Sequence, residues 1–331
     1  MTEAAPLLSF RLSVDYRNKT GVLRDVFMEL RQGEILGLVG QSGSGKSTLS
    51  LAILRLLHLK GGTARGSLLF KGQDLFAKTE AEMRSLRGRE MSIVLQSPLS
   101  SLNPALRIGS QLSEAWRAHA DGTREECGAA IRTALANVSL PNDNDFLRRR
   151  PSQLSVGQAQ RVIIAMAILH RPSLLIADEA TSALDTITQS EILRLFAQLN
   201  RELRMGILYI SHDLLSVAAL CHRIAILKDG EIVECGPPSQ IFGAPQHTYT
   251  QKLVAALPRL PLPAPHIGMQ GNSPLSDEEG DRSWEESKRR QFCVFRPFSN
   301  LCLVTATDQV CRKSSRQRGS RGDTGARRLL W

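Results

Sequence analysis

The apolar run Glu34-Ile-Leu-Gly-Leu-Val39 leads directly into Gly40-Gln-Ser-Gly-Ser-Gly-Lys46-Ser47, and helical spacing follows. No other segment restricts the fold as strongly. Strand, glycine-rich turn and helix in that order, with the G-x-x-x-x-G-K-[ST] spacing complete, form a cradle for phosphate groups. The glycines let the backbone curl so that successive amides point inward. Lys46 is placed to neutralise the β- and γ-phosphates of a nucleotide, and the Ser47 hydroxyl to ligate Mg²⁺. The helix starting there adds the positive end of its dipole. Gly40, Gln41, Ser42, Gly43, Ser44, Gly45, Lys46, Ser47 and Thr48 are therefore expected around ATP and Mg²⁺. A glycine-rich turn without function is the competing reading, and the complete spacing argues against it.

A second apolar strand, Leu174-Leu-Ile-Ala177, ends in Asp178-Glu179. Ligands of open α/β sheets bind at the carboxyl ends of strands, which puts both acids on the ligand side. Asp178 is expected to hold Mg²⁺ through water, and Glu179 to orient or deprotonate an attacking water. An isolated acidic pair after a strand is more often a helix N-cap, but beside a phosphate loop that reading loses weight. Strand–helix units at 173–178 (helix after Thr186) and 205–211 (helix after Asp213) predict a mainly parallel sheet covered on both faces. Residues 8–39 read as short strands with turns at 17–21 and 31–33. Residues 47–57 read as a helix with Leu49, Ala52, Ile53 and Leu56 on one face, 66–72 as a strand, and 97–150 as mostly helical.

Phosphate loops are shared by many NTPases, and a further motif narrows the field. Leu154-Ser-Val-Gly-Gln158 resembles the signature of ATP-binding-cassette (ABC) ATPases, and it precedes the Asp178 strand at the family's short distance. Gln96, after the strand 91–95, resembles the glutamine loop; Ser182-Ala-Leu-Asp185 resembles the D-loop; His212 resembles the switch histidine. Tyr16 stands at the distance for stacking on adenine, and equally suits a core aromatic. The resemblance implies an α/β P-loop NTPase (RecA-like) core with a mainly parallel sheet, an antiparallel β subdomain and a helical signature subdomain. It implies catalytic roles for Glu179, His212, Gln96 and Lys46, and metal contacts from Ser47, Gln96 and Asp178. Ser155, Gly157 and Gln158 would complete the ATP site of a second ABC ATPase subunit, similar or identical. Val156 departs from the signature, where the family has glycine; a β-branched residue disfavours positive φ and adds bulk, so a slower composite site is expected.

Gln96-Ser-Pro-Leu-Ser-Ser-Leu-Asn-Pro104 and Pro245-Gln-His-Thr-Tyr249 resemble the dipeptide, oligopeptide and nickel importer branch. That implies two membrane permease subunits and an extracytoplasmic solute-binding protein as partners, with this chain peripheral on the cytoplasmic face of the membrane. The alternative is a soluble ABC ATPase acting on nucleic acid or ribosomes. Such proteins generally need a long coiled-coil insertion or two cassettes, and this chain has one phosphate loop, one signature and no heptad insertion.

The net charge of +10 bears on that choice. Residues 282–331 hold 12 Lys or Arg against 4 Asp or Glu, so the excess lies in the tail and a basic nucleic-acid face is not expected. Prolines 258, 261, 263 and 265 mark the domain boundary near 259. Residues 1–259 are expected to form the ATPase domain, with a helical subdomain at about 97–160. Residues 260–331 read as a Pro-rich linker and a basic tail, largely disordered. Cys127, Cys221 and Cys235 read as buried thiols. Cys293, Cys302 and Cys311 resemble the branch's terminal cysteine segment only loosely, and their spacing argues against a bound metal or cluster. No secretory signal is read at the start, and the longest apolar run, 162–169, is far below the roughly 20 residues that cross a bilayer.

Overall fold

A computed structural model describes residues 5–257. The chain opens with β1 (Leu8–Tyr16) and β2 (Lys19–Leu30), an antiparallel hairpin. These strands are longer than expected and their turn is tighter. Tyr16 pairs with Lys19, so only Arg17 and Asn18 turn, and Gly21 stays in β2 with its amide donating to Asp15 Oδ1 at 2.7 Å. β3 (Ile35–Val39) follows, then α1 (Lys46–Ile53). The helix ends four residues before the expected point, because the backbone turns left-handed at Arg55, φ 54°. The Arg55 guanidinium donates to the carbonyls of Leu75 and Lys78. β4 (Gly62–Phe70) and β5 (Gln73–Asp74) finish a four-stranded antiparallel sheet in the order β2-β1-β4-β5.

The helical part is α2 (Glu80–Leu86), then α3 (Pro98–Ser101), α4 (Ile108–Arg117), α5 (Arg124–Asn137), α6 (Asn144–Arg148) and α7 (Val156–Ile168), with β6 (Met91–Val94) placed after α2. Starts of helices follow local chemistry. Thr79 and Thr123 cap α2 and α5, and each pairs reciprocally with a glutamate three residues on. After α7 come β7 (Leu174–Asp178), α8 (Thr186–Leu203), β8 (Gly206–Ser211), α9 (Leu214–Leu220), β9 (Arg223–Lys228), β10 (Glu231–Gly236), α10 (Pro238–Gly243) and α11 (Thr248–Ala255).

The second sheet runs β10-β9-β3-β8-β7-β6, parallel throughout except for β10. β3, β7 and β8 are buried at every position, as strands covered on both faces must be. Their side chains alternate between two cores. Ile35, Leu175, Ala177, Ile207 and Tyr209 pack with α7, α8 and the helical part. Leu36, Leu38, Leu174, Ile176, Leu208 and Ile210 pack with α1 and the antiparallel sheet. Burying each such side chain contributes roughly 1.5–3 kcal/mol, so the central strands hold both layers together.

Cys127 and Cys221 are buried, but Cys235 is exposed, because it sits on β10 at the sheet edge. The Pro-rich segment, Cys293, Cys302, Cys311 and the basic tail lie outside the described residues. No helix among the described residues is long and apolar enough to cross a membrane.

Gly37, in the middle of β3, lies directly under Val217 of α9 and Cys221 just after it. A Cβ there would stand 2.4 Å from Val217 Cγ1 and 2.9 Å from Cys221 Sγ. Gly37→Ala is expected to destabilise the domain by about 1–3 kcal/mol through overpacking, and Val217→Ala in the same chain should recover part of it. Denaturant midpoints of the two single variants and the double test this; simple additivity would disprove the contact.

Candidate functional site

Sheet register gathers the site. Val39 pairs with Ser211 and Asp178 with Ile210, so the turns after β3, β7 and β8 lie side by side at the carboxyl edge. Residues 40–45 loop over that edge and enter α1 through Gly45, which has φ 107°. A side chain at Gly45 would be strained there, and its Cβ would also stand 2.6 Å from Leu23 Cδ2. The start of α1 has no side-chain cap and no acid in its first turn. Its leading amides therefore lack the acceptors that other helices of this chain supply from Thr79, Thr123, Ser155 or Asp185. Ser44 Oγ is likewise buried without a partner. Amides without a side-chain cap at a helix N-terminus, beside a buried unpartnered hydroxyl, fit a phosphate group.

Lys46 is 4% exposed. Its Nζ donates to the carbonyls of Gly40 (2.8 Å) and Gln41 (3.0 Å), and stands 3.8 Å from Glu179 Oε1. Burial pulls the Lys46 pKa down, while Glu179 and Asp178 oppose that shift. Ser47 Oγ donates to Asp178 Oδ1 at 3.3 Å. Burial also raises the Asp178 pKa above the ordinary carboxylate value, with Ser47 and Ser50 pulling against it. Asp178 and Ser47 are a pair of hard oxygen donors at one spot. They suit Mg²⁺, which takes one or two protein oxygens and fills its shell with water and phosphate oxygens. Among the described residues there is no group of three or more His, Cys, Asp or Glu that could hold a metal ion.

Glu179 lies between the lysine and the histidine. Its Oε2 is 3.6 Å from His212 Nδ1, while its Oε1 faces Lys46. Glu179 adopts φ 51°, uncommon for a side chain of this kind. It is held there by its amide, which donates to the Ile210 carbonyl at 2.9 Å, and by its carbonyl, which accepts from Ser182 N and Oγ. His212 is 57% exposed and opens toward solvent. Tyr16 sits at the end of β1 with its hydroxyl 3.3 Å from Thr48 Oγ1, which places the ring beside the first turn of α1. Gln96 is exposed, two residues beyond β6, and Val94 pairs with Ala177 beside Asp178. None of the short contacts above involves Gln96.

Ser155, Gly157 and Gln158 open α7. Ser155 Oγ accepts from the Gln158 amide, and Gln158 Oε1 accepts from the Ser155 amide, which closes a capping box. A Cβ on Gly157 would meet Thr188 Cγ2 at 2.8 Å, so α7 presses on the first turn of α8. Asp185 caps α8 by accepting from Ile187 and Thr188. Val156 is the first helical residue and is not among the positions with positive φ. The expected backbone conflict is therefore absent, because the capping box sets an ordinary helical start. The side chain is 40% exposed and lies at the surface. Sequence reasoning missed Tyr209, whose buried hydroxyl joins Thr181 to Ser216; a phenol in an otherwise aliphatic buried strand was the available signal.

Residues 23–182 match the ABC transporter family model. The glutathione import ATP-binding protein of Escherichia coli (strain K12) is 42% identical over 250 residues, 74% of this chain and 40% of that protein. Its Salmonella typhimurium counterpart is 42% identical over 244 residues. The chain thus spans about two fifths of the length of the curated relatives it matches. The solved cbiO1 of Clostridium perfringens, described as part of the ABC transporter complex cbiONQ, superposes with TM-score 0.64 at 25% identity. That overlap covers 73% of this chain and 92% of cbiO1. An ATP-binding cassette solved as a dimer after hydrolysis, bound to ADP and Pi, gives TM-score 0.60 at 26% identity, covering 70% and 98%.

Asp178 carries a cost when no cation faces it. A raised native pKa means that the folded chain holds this proton to higher pH than the unfolded chain does. Its contribution to stability therefore falls as pH rises from the unfolded value of 3.8 through the native one. Asp178→Asn is expected to raise Tm by about 2–4 °C at neutral pH without divalent cation, as roughly 1 kcal/mol would in a domain of this size. Calorimetry of both chains tests this, and a lower Tm in the variant would contradict it.

Proposed function

The chain carries an ATP-binding domain of the ABC transporter family, and we propose that it is the ATP-hydrolysing subunit of an importer. In this reading hydrolysis drives uptake of a small solute, of the dipeptide, oligopeptide or nickel class, through membrane permeases. The observation that carries the reading is the line Lys46–Glu179–His212 beside the uncapped start of α1. A buried cation, a carboxylate and an imidazole, in reach of free amides, suit a triphosphate and its attacking water.

ATP binds with its phosphates over residues 40–48, and its oxygens replace the Gly40 and Gln41 carbonyls as partners of Lys46. Tyr16 lies against the adenine. Ser47, Asp178 and Gln96 would hold Mg²⁺, which would supply neutralisation of charge on the phosphates. Glu179 takes a proton from the water as it adds to the γ-phosphorus, and the bond to the β-γ bridging oxygen breaks to leave ADP. His212 contacts the γ-phosphate on the side away from Lys46. Ser155, Gly157 and Gln158 of a second ATPase subunit close the site, with the amino end of a 13-residue helix turned to the same charge.

The domain extends over residues 1–259, and its helical part, about 97–160, docks on two permease subunits. An extracytoplasmic binding protein delivers the solute, and this subunit sits on the cytoplasmic face of the membrane. Residues 260–331 follow it as a Pro-rich linker and a basic, Cys-containing tail. The import named in the bacterial relatives supports this reading over a soluble ATPase on nucleic acid or ribosomes.

ATP turnover by the full chain, measured with and without Mg²⁺ and beside Glu179→Gln, tests the proposal. Turnover should need Mg²⁺ and fall by about 10²–10⁴-fold in Glu179→Gln, and light scattering should detect an ATP-locked dimer of the variant. Lys46→Ala should lose ATP affinity. Glu179→Gln turning over at the parent rate, in the chain or in its reconstituted complex, would overturn the assignment.

A further inference from the structure

A chain of hydroxyls runs beneath the site without touching it. Tyr209 on β8 is fully buried, and its OH lies 2.9 Å from Thr181 Oγ1 and 3.3 Å from Ser216 Oγ. Ser216, on α9, donates to the Asp213 carbonyl at 2.8 Å and stands 3.4 Å from Ser211 Oγ. Ser211 Oγ in turn accepts from the Asp213 amide at 3.0 Å. Thr181 is two residues after Glu179, while Ser211 and Asp213 flank His212. One phenol thus spans the two turns that carry the facing carboxylate and imidazole.

The placement is unusual for a hydroxyl. The neighbours of Tyr209 along β8 are Ile207, Leu208 and Ile210, all buried and apolar. Its ring packs at 6.2 Å from that of Phe196 on α8. Packing alone would be met by phenylalanine with no polar atom to satisfy. Glu179 meanwhile holds a left-handed backbone, a conformation that persists only when its surroundings over-determine it. The Ile210 carbonyl and Ser182 fix the glutamate from one side, and the Thr181 hydroxyl ties the next part of the turn to β8.

We infer that Tyr209 is a positioning residue for hydrolysis: its hydroxyl, through Thr181 on one side and Ser216 on the other, sets the spacing of Glu179 and His212. This rests on the hydrolytic role proposed for those two residues. Tyr209 is fully buried beneath the site and reaches it only through Thr181 and Ser216, so it acts on the rate of the chemical step and leaves ATP affinity alone. Thr181 needs its hydroxyl and Ser216 needs its own, whereas the methyl of Thr181 is dispensable.

The test compares Tyr209→Phe, Thr181→Val, Thr181→Ser and Ser216→Ala with the parent and Glu179→Gln, in the full chain reconstituted with its membrane subunits. Saturating ATP turnover, KM and binding of a fluorescent ATP analogue are read at a temperature well below every Tm. Tyr209→Phe and Thr181→Val should lower kcat about 5–20-fold with KM and analogue affinity within twofold. Thr181→Ser should restore the parent rate. Tyr209→Phe and Ser216→Ala should combine with less than the product of their separate effects, as groups acting in one chain do. Parent-like kcat in Tyr209→Phe, or Thr181→Ser as slow as Thr181→Val, would overturn the inference while leaving the hydrolytic reading intact. A Glu179→Gln variant as active as the parent would instead remove the reading beneath it.

Discussion

An ammonium group buried as deeply as that of Lys46 has to be surrounded by acceptors, and the architecture around the sheet edge follows from that need. Isolated in an apolar interior the charge would lose its proton. Two carbonyls of the loop that carries it take part of the load, and Glu179 and Asp178 take the rest. Those acids come from β7, which is not next to β3 in the sheet; β8 lies between them. β8 accordingly has two tasks. It offers the Ile210 carbonyl that fixes the Glu179 backbone, and it ends in the turn that brings His212 to the carboxylate. A cation at the helix start after β3, its counter-charge at the end of β7 two strands away and a brace on β8 between them make the site a property of the sheet as a whole.

Burial acts on the two sides of this arrangement in opposite senses. It favours the neutral form of Lys46 and the protonated form of Asp178, and each shift weakens the attraction that justifies the other. The free amides at the start of α1 and the orphaned Ser44 hydroxyl add further unsatisfied groups to the same few residues. The carboxyl edge thus gathers groups whose chemistry is complementary to a polyanion and a divalent cation.

The phosphate loop, Asp178 and Glu179 were legible in the sequence because backbone chemistry ties them to invariant spacing: glycine where φ is positive, a cation at the helix start, acids at a strand end. The alternation along β3, β7 and β8 was legible for the same kind of reason. Turns were harder. Asn18 and Gly21 read as one loop, yet the chain turns at Arg17 and Asn18, and Gly21 remains in the ladder. Arg55 ends α1 in a left-handed conformation that no glycine announces, held by carbonyls from a later segment. Val156 carried an expected backbone penalty that the Ser155–Gln158 capping box removes, which is a matter of hydrogen bonding at the start of α7 and not of residue type. The Tyr209 array was harder to read: the lone phenol on β8 was a signal, but Thr181 lies 28 residues before it and meets it only through the pairing of β7 with β8.

The strand order also has a bearing on how this protein is made. β3 pairs with β8 on one side and β9 on the other, and neither partner exists until residues 206–228 have been synthesised. At about 5–20 residues per second, a ribosome needs roughly 8–33 s to travel from β3 to β8. For that interval the most apolar strand of the nascent domain, already followed by its phosphate loop, has no neighbour along either edge. The first hairpin can close early, because β1 and β2 are adjacent, and it can shelter one face of the waiting strand. Its two edges stay open to other chains until the second half of the domain arrives, and slower elongation would lengthen that exposure.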